Sequence, residues 1–198
     1  MTALLGLVLA GGRSSRMQED KAALVFGRGP QLAEAYALLA PRVDRAFVSV
    51  RADQRDEPLR ARFPQVVDGA AGRGPVAGIL AAQALDPEAA WLVVACDLPL
   101  LDGATLDELI AGRDAARLAT AFRSVHDGLP EPLCAIWEPA SGVPLLRWVE
   151  SGQSCPRKFL VRHDARLLDA ARPRALDNAN TPQDAASVRA ALATGGRA

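Results

Sequence analysis

A glycine pair followed by basic and polar side chains is the stretch of this sequence best suited to chemistry. Residues 7–24 read LVLAGGRSSRMQEDKAAL, in which Gly11 and Gly12 end an apolar run and Arg16 and Lys21 follow. Glycine lets a backbone approach a ligand closely, and the amides of such a turn bind anions. The two cations would add charge complementary to a polyphosphate. On the glycines alone, an ordinary strand-to-helix turn with solvated arginines stays an open alternative.

Lysine is rare in this chain, which makes its position informative. The sequence has 21 arginines but two lysines, Lys21 and Lys158. A lysine ammonium is a compact point charge, whereas arginine is a planar fork, so a lysine here favours a phosphate-binding role. The spacing matches neither the P-loop pattern G-x-x-x-x-G-K-[ST] nor the dinucleotide fingerprint G-x-G-x-x-G. The sequence therefore disfavours a P-loop enzyme and a dinucleotide-dependent oxidoreductase.

Two carboxylates follow apolar runs elsewhere in the chain. Asp97 comes directly after WLVVAC, and a carboxylate at the end of a buried strand is costly unless it is solvated, paired or bound to a metal. Because Mg²⁺ takes one or two carboxylates together with substrate phosphates, Asp97 is a candidate metal ligand, with a helix cap as the alternative. Asp68 precedes Gly69, which by itself predicts a turn carboxylate.

Short apolar runs alternate with helical patterns along the chain. Strands are predicted over 5–10, 45–50, 91–95, 117–122, 133–137 and 166–169, and helices over 30–41, 74–85, 105–112, 142–151, 156–163 and 181–192. The alternation predicts one α/β domain over 1–198 with a doubly wound, mostly parallel, Rossmann-like sheet. Ligands of such folds bind beyond the carboxyl ends of the strands. The glycine pair and Asp97 both follow strands there, so one shared site is expected.

Composition excludes several classes of protein. A formal net charge of +0 and a pI near 6.7 argue against a broad polyanion-binding surface, so nucleic acid is not expected as a partner. Three cysteines without a C-x-x-C pair indicate neither a disulfide framework nor a zinc site, which suits a reducing cytoplasm. The apolar N-terminal run has no basic leader and is read as a buried strand. No apolar run approaches the roughly 20 residues that span a bilayer, so no membrane contact is expected.

The glycine stretch resembles the nucleotidyltransferase signature L-A-G-G-x-x-x-R-M-G-x-D-K. Its RM and DK pairs resemble those of the molybdenum cofactor guanylyltransferases, the MobA-like proteins. The matching residues are Leu9, Ala10, Gly11, Gly12, Arg16, Met17, Asp20 and Lys21. Gln18 stands where the signature has its next glycine.

Further motifs in the same order extend the resemblance over nearly the whole chain. Residues 66–80 resemble the family's Asp followed by G-P-L-A-G, with matches at Asp68, Gly74, Pro75, Ala77 and Gly78. Residues 93–101 resemble its strand ending in C-D-x-P, which contains Asp97, and residues 129–139 resemble a later P-x-x-A-L strand. Residues 176–184 resemble its closing N-x-N-T-P-E-D. The family's asparagine after the second strand has no clear match, and Arg51 is the nearest residue.

The resemblance implies transfer of GMP from GTP to the phosphate of molybdopterin, with release of pyrophosphate. Arg16, Lys21 and Asp97 would be catalytic, with the two cations on the β- and γ-phosphates and Asp97 on Mg²⁺. The implied nucleotide-binding set is Leu9, Ala10, Gly11, Gly12, Lys21, Asp68, Gly74, Gly78 and Asp97. Other molybdenum cofactor biosynthesis proteins are implied as partners. For GPVAG, close helix–sheet packing through small residues is an equally compatible reading.

Four questions of function stay open at the level of sequence. A cytidylyl- or sugar-phosphate nucleotidyltransferase is the nearest rival, although the glycine pair and the DK pair favour the guanylyl branch. A non-catalytic nucleotide-binding protein of the same fold is a rival of another class. The basic segment 156–163 either faces an anionic second substrate or is a solvated helix face, and Asn178 and Asn180 either close the metal site or build a turn.

Overall fold

The computed structural model describes residues 2–11, 20–69, 74–179 and 182–193. The strands are β1 (Leu4–Leu9), β2 (Arg45–Arg51), β3 (Gln65–Asp68), β4 (Ala90–Ala95), β5 (Ala119–Arg123), β6 (Pro130–Trp137) and β7 (Arg166–Leu168). The α-helices are α1 (Gln31–Leu39), α2 (Pro75–Leu85), α3 (Gly103–Ala111), α4 (Gly142–Glu150), α5 (Pro156–Arg162) and α6 (Pro182–Ala193). Within the described ranges, every helix falls short of the length and apolar character that crossing a membrane requires.

The strands form one sheet in the order β3-β2-β1-β4-β6-β5-β7. Strands β1, β2, β3 and β4 pair in parallel, β7 pairs in parallel with β5, and β6 runs antiparallel to both of its neighbours. The reversal at β6 has a simple cause, because residues 124–129 between β5 and β6 are too few for a crossover to a parallel neighbour. The predicted doubly wound, mostly parallel α/β sheet is confirmed.

Alternate residues of the central strands belong to two apolar layers, one on each face of the sheet. In β4, Leu92 and Val94 pack with α1 and α3, whereas Trp91 and Val93 pack with α2, α4 and α5. All six residues of β4 are buried, as a continuous apolar run in a doubly covered sheet requires. A smaller cluster, which includes Val188, holds α6 against Leu100 at one end of the molecule.

The elements predicted from periodicity are present with shifts of a few residues at their ends, but strand β3 was not predicted. It is only four residues long, QVVD, and lies at the edge of the sheet. Its Val67 is 38% exposed. An edge strand this short carries too little apolar periodicity to stand out in the sequence.

Candidate functional site

The ends of four parallel strands bring the candidate residues to one edge of the sheet. Leu9 in β1 pairs with Ala95 in β4, and Arg51 at the end of β2 pairs with Asp68 at the end of β3. Gly11 and Asp97 each come two residues after that first pair. The sequence folds so because parallel strands in register place their carboxyl ends together. The structure therefore places Gly11, Asp68 and Asp97 at one edge, while their function as a shared site stays a prediction.

Lys21 and Asp97 form an ion pair at this edge. The Lys21 Nζ donates to Asp97 Oδ2 at 3.0 Å, and each side chain is 21% exposed. Lys21 opens a short 3₁₀ helix, Lys21–Ala23, whose N-cap Asp20 accepts a hydrogen bond from the Ala22 amide. The cap therefore fixes the start of the turn that carries Lys21. An ammonium beside this carboxylate shows that the position favours a cation.

Asp97 is not a helix cap, which was the alternative for it. The cap of α3 is Asp102, whose side chain accepts from the Thr105 amide at 2.8 Å. The Asp97 carboxylate is thus left for Lys21, while its backbone carbonyl accepts from the Ala179 amide at 3.0 Å. Beside it, burial raises the pKa of the Cys96 thiol to about 12, so that thiol stays protonated at neutral pH. Cys96 therefore lacks the thiolate form that a cysteine nucleophile requires.

Arg51 stands closest in the sequence to the position where the family has an asparagine, and it contacts the glycine pair directly. Its Nη1 donates to the Gly11 carbonyl at 2.7 Å, while Asp53 receives its Nε at 2.9 Å. Asp68 lies beside Gly11, since a Cβ added there would be 3.4 Å from Asp68 Oδ2. Burial raises the pKa of Asp68, and the Arg51 charge opposes that rise. A carboxyl group whose pKa is raised by burial, at the end of parallel strands, is a candidate functional group.

Sequence reasoning missed Arg60, which is 1% exposed and contacts the backbone directly after β1. Its guanidinium donates to the Ala10 carbonyl at 2.9 and 3.2 Å and to both carboxylate oxygens of Asp20, at 2.6 and 2.9 Å. The hydrogen bond from Arg60 lowers the pKa of Asp20. Arg60 sits in DQRDEPLRARF, where it is one arginine among several, and no motif or spacing distinguishes it.

The two glycines of GPVAG (residues 74–78), Gly74 and Gly78, have different surroundings. Gly78 in α2 packs against the sheet, because an added Cβ would lie 2.4 Å from Ser49 Oγ and 2.8 Å from Leu9 Cδ2. Close helix–sheet packing therefore accounts for Gly78. Gly74 precedes α2 with φ of 63° and ψ of −153°, and an added Cβ would have no atom within 4 Å. That backbone conformation is nearly restricted to glycine.

The structure does not place every residue of the predicted site. Gly12, Arg16 and Asn180 lie outside the described residues, and their roles stay predictions. Leu9 and Ala10 are in place at the end of β1, where the Ala10 amide donates to the Ser49 carbonyl at 3.2 Å. The predicted nucleotide contacts of Leu9 and Ala10 likewise remain predictions.

A cleft of about 350 Å³ is lined in part by residues of β6 and α6. Its lining includes Leu100, Glu131, Arg157 and Asn178, of which Asn178 directly precedes the residue bonded to the Asp97 carbonyl. Arg157, from the basic segment 156–163, faces this cleft and is paired with Asp127 at 3.0 Å and Glu131 at 2.8 Å. The segment is therefore not simply a solvated helix face.

The donor set fits a divalent cation that is shared with a substrate. Among the described residues, no group of three or more His, Cys, Asp or Glu side chains could hold a metal ion. The Asp97 carboxylate is 21% exposed and lies 3.0 Å from the Lys21 ammonium. One carboxylate completed by phosphate oxygens is the arrangement that Mg²⁺ accepts.

Comparison with known proteins agrees with the resemblance in the motifs. The model of the MobA-like NTP transferase domain matches residues 6–167. A molybdenum cofactor guanylyltransferase from Cereibacter sphaeroides is 30% identical over 200 residues, which covers 96% of this chain and 97% of that protein. A molybdenum cofactor biosynthesis bifunctional protein from Synechocystis sp. is 33% identical over 183 residues, and the chain spans about half of that relative, 53%.

A solved structure shows the same fold. The molybdopterin-guanine dinucleotide biosynthesis protein A from Archaeoglobus fulgidus superposes with a TM-score of 0.78 at 22% identity, which covers 96% of this chain and 99% of that chain. The domain match extends over most of the sheet, and the strand ends that it includes carry Gly11, Asp68 and Asp97. The chain belongs to the MobA-like NTP transferase family.

Proposed function

We propose that this protein transfers GMP from GTP to the terminal phosphate of molybdopterin and releases pyrophosphate. The observation that carries the proposal is the Lys21–Asp97 pair, 3.0 Å apart at the carboxyl edge of the sheet of a MobA-like NTP transferase. The curated relative from C. sphaeroides is named for the guanylyl reaction. That name favours the guanylyl reading over the cytidylyl and sugar-phosphate readings.

In the proposed reaction, an oxygen of the molybdopterin phosphate forms a bond to the α-phosphorus of GTP. The bond from that phosphorus to the bridging oxygen breaks, and pyrophosphate leaves with the electron pair. Because the attacking phosphate is already anionic, no general base is needed, and catalysis reduces to positioning and charge stabilisation. This agrees with a site that holds a lysine and carboxylates and whose neighbouring thiol is protonated.

Each described residue has a proposed task. From its position beside Asp97, Lys21 would bind the β- and γ-phosphates and stabilise the departing pyrophosphate. Arg16, outside the described residues, is proposed to share that task. Asp97 would hold a divalent metal, for which we propose Mg²⁺, and such an ion withdraws charge from phosphate oxygens when bound. Asp68 and the backbone of Gly11 lie where they could contact the nucleoside and its phosphates.

We propose that molybdopterin binds in the cleft lined by Leu100, Arg157 and Asn178. Its volume of about 350 Å³ lies in the range of small-molecule pockets. Arg157 offers the cleft a planar fork that matches a phosphate, although it first has to leave the carboxylates of Asp127 and Glu131. Asn178 of the cleft precedes Ala179, whose amide binds the Asp97 carbonyl, so this cleft would place molybdopterin close to the nucleotide.

Organisation, compartment and partners complete the proposal. The described strands join one sheet, so we propose a single nucleotidyltransferase domain over residues 1–198. The three cysteines are free thiols, Cys96, Cys134 and Cys155, which suits a reducing cytoplasm. Proteins that supply or accept the cofactor are the proposed partners.

Calorimetric titration with GTP and with CTP, each with and without Mg²⁺, tests the donor nucleotide. We expect Mg²⁺-dependent binding of GTP that weakens in Asp97→Asn, followed by GMP transfer when molybdopterin is added. A preference for CTP would keep the mechanism and change the product. Binding without turnover would support a non-catalytic protein, and no nucleotide binding would overturn the proposal.

A further inference from the structure

We infer that Arg60 is a positioning residue, which ties the two flanks of residues 12–19 together and thereby sets Lys21 opposite Asp97. The inference rests on the proposed nucleotidyl transfer for its functional meaning, while its geometric content stands on the described residues alone. It concerns a residue that no motif of the chain includes.

The hydrogen bonds of Arg60 reach both flanks at once. Its guanidinium makes five hydrogen bonds, to the Ala10 carbonyl, the Asp20 carboxylate and Glu57. Ala10 precedes residues 12–19 in the chain, and Asp20 follows them. A rigid planar fork can bond two acceptors in fixed directions, which a flexible ammonium does not. Arg60 therefore sets the distance between the two flanks.

Burial excludes a direct role of Arg60 on substrate phosphates. Its side chain is 1% exposed and is compensated by two carboxylates, Asp20 and Glu57. Glu57 in turn accepts from the Leu59 and Arg60 amides, both at 3.1 Å. The guanidinium is thus held by Glu57 of its own turn and by Asp20, with 1% of the side chain exposed, so it acts through the groups that it binds.

The consequence for Lys21 follows from the cap. Asp20 binds Arg60 with both oxygens, and the oxygen 2.9 Å from Arg60 Nη2 also caps the 3₁₀ helix that begins at Lys21. Moving the Asp20 carboxylate therefore moves the start of that turn. The Lys21 ammonium, 3.0 Å from Asp97, would lose its fixed direction.

The control for this inference is a second buried arginine–carboxylate fork at the opposite end of the sheet. Arg113 binds Glu138, which is 2% exposed, through Nε at 2.6 Å and Nη2 at 2.7 Å. Glu138 follows Trp137, which pairs with Trp91 at the amino end of β4. Arg60→Lys and Arg113→Lys both keep the charge and remove a fork, so each should lower stability, and Arg113→Lys controls for that general effect.

Amide hydrogen exchange of the free protein tests the geometry without any substrate. In Arg60→Lys we expect exchange at the Ala22 amide, whose acceptor is Asp20, to be about tenfold faster or more. Arg113→Lys should leave that amide unchanged. Unchanged exchange at Ala22 in Arg60→Lys would overturn the inference, whether or not the proposed function holds.

Kinetics of a double-mutant cycle test the functional link. If Arg60 acts through Lys21, Lys21→Met should lower kcat by about 100-fold or more in the wild-type background but by less than about tenfold in Arg60→Lys. A purely structural Arg60 would leave the two effects multiplicative, which would refute the positioning role. Failure of the wild-type protein to bind GTP would instead refute the proposed function. The amide exchange of Ala22 would still test whether Arg60 positions the turn that begins at Lys21.

Discussion

The Lys21–Asp97 pair supports the sharpest prediction about activity. Lys21→Met keeps the length and apolar stem of the side chain and removes its charge. In the structure the ammonium lies 3.0 Å from Asp97 Oδ2, with 21% of each side chain exposed. The substitution therefore removes one partner of a partly solvated ion pair and leaves the strand ends in place.

The expected effect on folding is small. Exposed ion pairs contribute about 0.2–1 kcal/mol, and a pair with most of its surface covered lies at the upper end of that range. We expect a loss of about 1 kcal/mol in the free energy of unfolding. For a chain of this length that corresponds to a fall of about 2–4 °C in Tm.

The expected effect on turnover is much larger. Removing one group that stabilises developing charge typically lowers kcat by ~100- to 1,000-fold, or about 2.7–4 kcal/mol. In the proposed transfer, that charge develops on the departing pyrophosphate. The loss in kcat should therefore exceed the loss in stability by about 2 kcal/mol or more.

Release of pyrophosphate from GTP in the presence of molybdopterin measures kcat, and thermal unfolding measures stability. Lys158→Met, at an exposed position of α5, is the matched control for the loss of a lysine charge. A kcat of Lys21→Met within about threefold of the wild type would refute the assignment of Lys21. So would a loss of stability large enough to explain the loss of activity.

The remaining predictions concern the cleft, Asp68 and Gly78. Arg157→Met should raise KM for molybdopterin about tenfold while KM for GTP stays unchanged, and Lys158→Met should change neither in steady-state assays. Because burial raises the folded-state pKa of Asp68, the native state binds more protons than the unfolded state just above pH 4, so ionised Asp68 lowers stability as pH rises. In urea unfolding, the free energy of unfolding of Asp68→Asn should therefore rise relative to that of the wild type as the pH goes from 4 to 7. The same variant should weaken GTP binding. A stability difference that stays constant over that pH range would contradict a raised pKa of Asp68. Gly78→Ala should lose about 1–3 kcal/mol by overpacking Ser49 and Leu9, whereas Gly29→Ala, with its nearest contact at 3.7 Å, should stay within about 0.5 kcal/mol.

Much of the fold and part of the site could be predicted before the structure. The continuous apolar run of β4 and the helical spacing of α1 are local patterns, and local patterns report secondary structure directly. Alternating strands and helices leave few topologies, all of which place the ends of parallel strands together. For that reason Gly11 and Asp97 could be assigned to one edge from their positions after two apolar runs.

The antiparallel direction of β6 and the short edge strand β3 were not predicted. Both depend on which strands become neighbours, and residues 124–129 or a four-residue strand carry only weak signals of that choice. The packing role of Gly78 was likewise one of two readings. It was decided by the approach of α2 to Ser49, which only the assembled sheet determines.

The sequence by itself determined the strands other than β3, the glycine stretch and the types of charge near it, because these are properties of short segments and their order. The tertiary structure decided the partners. Lys21 meets Asp97 across 76 positions of the chain, and Arg60 binds Ala10 from 50 positions away and Asp20 from 40. Hydrogen bonds of this kind form only where packing has already brought the chain segments together, since a buried guanidinium needs its acceptors in place. The structural role of Arg60, one of 21 arginines, can therefore be recognised only from the residues that surround it.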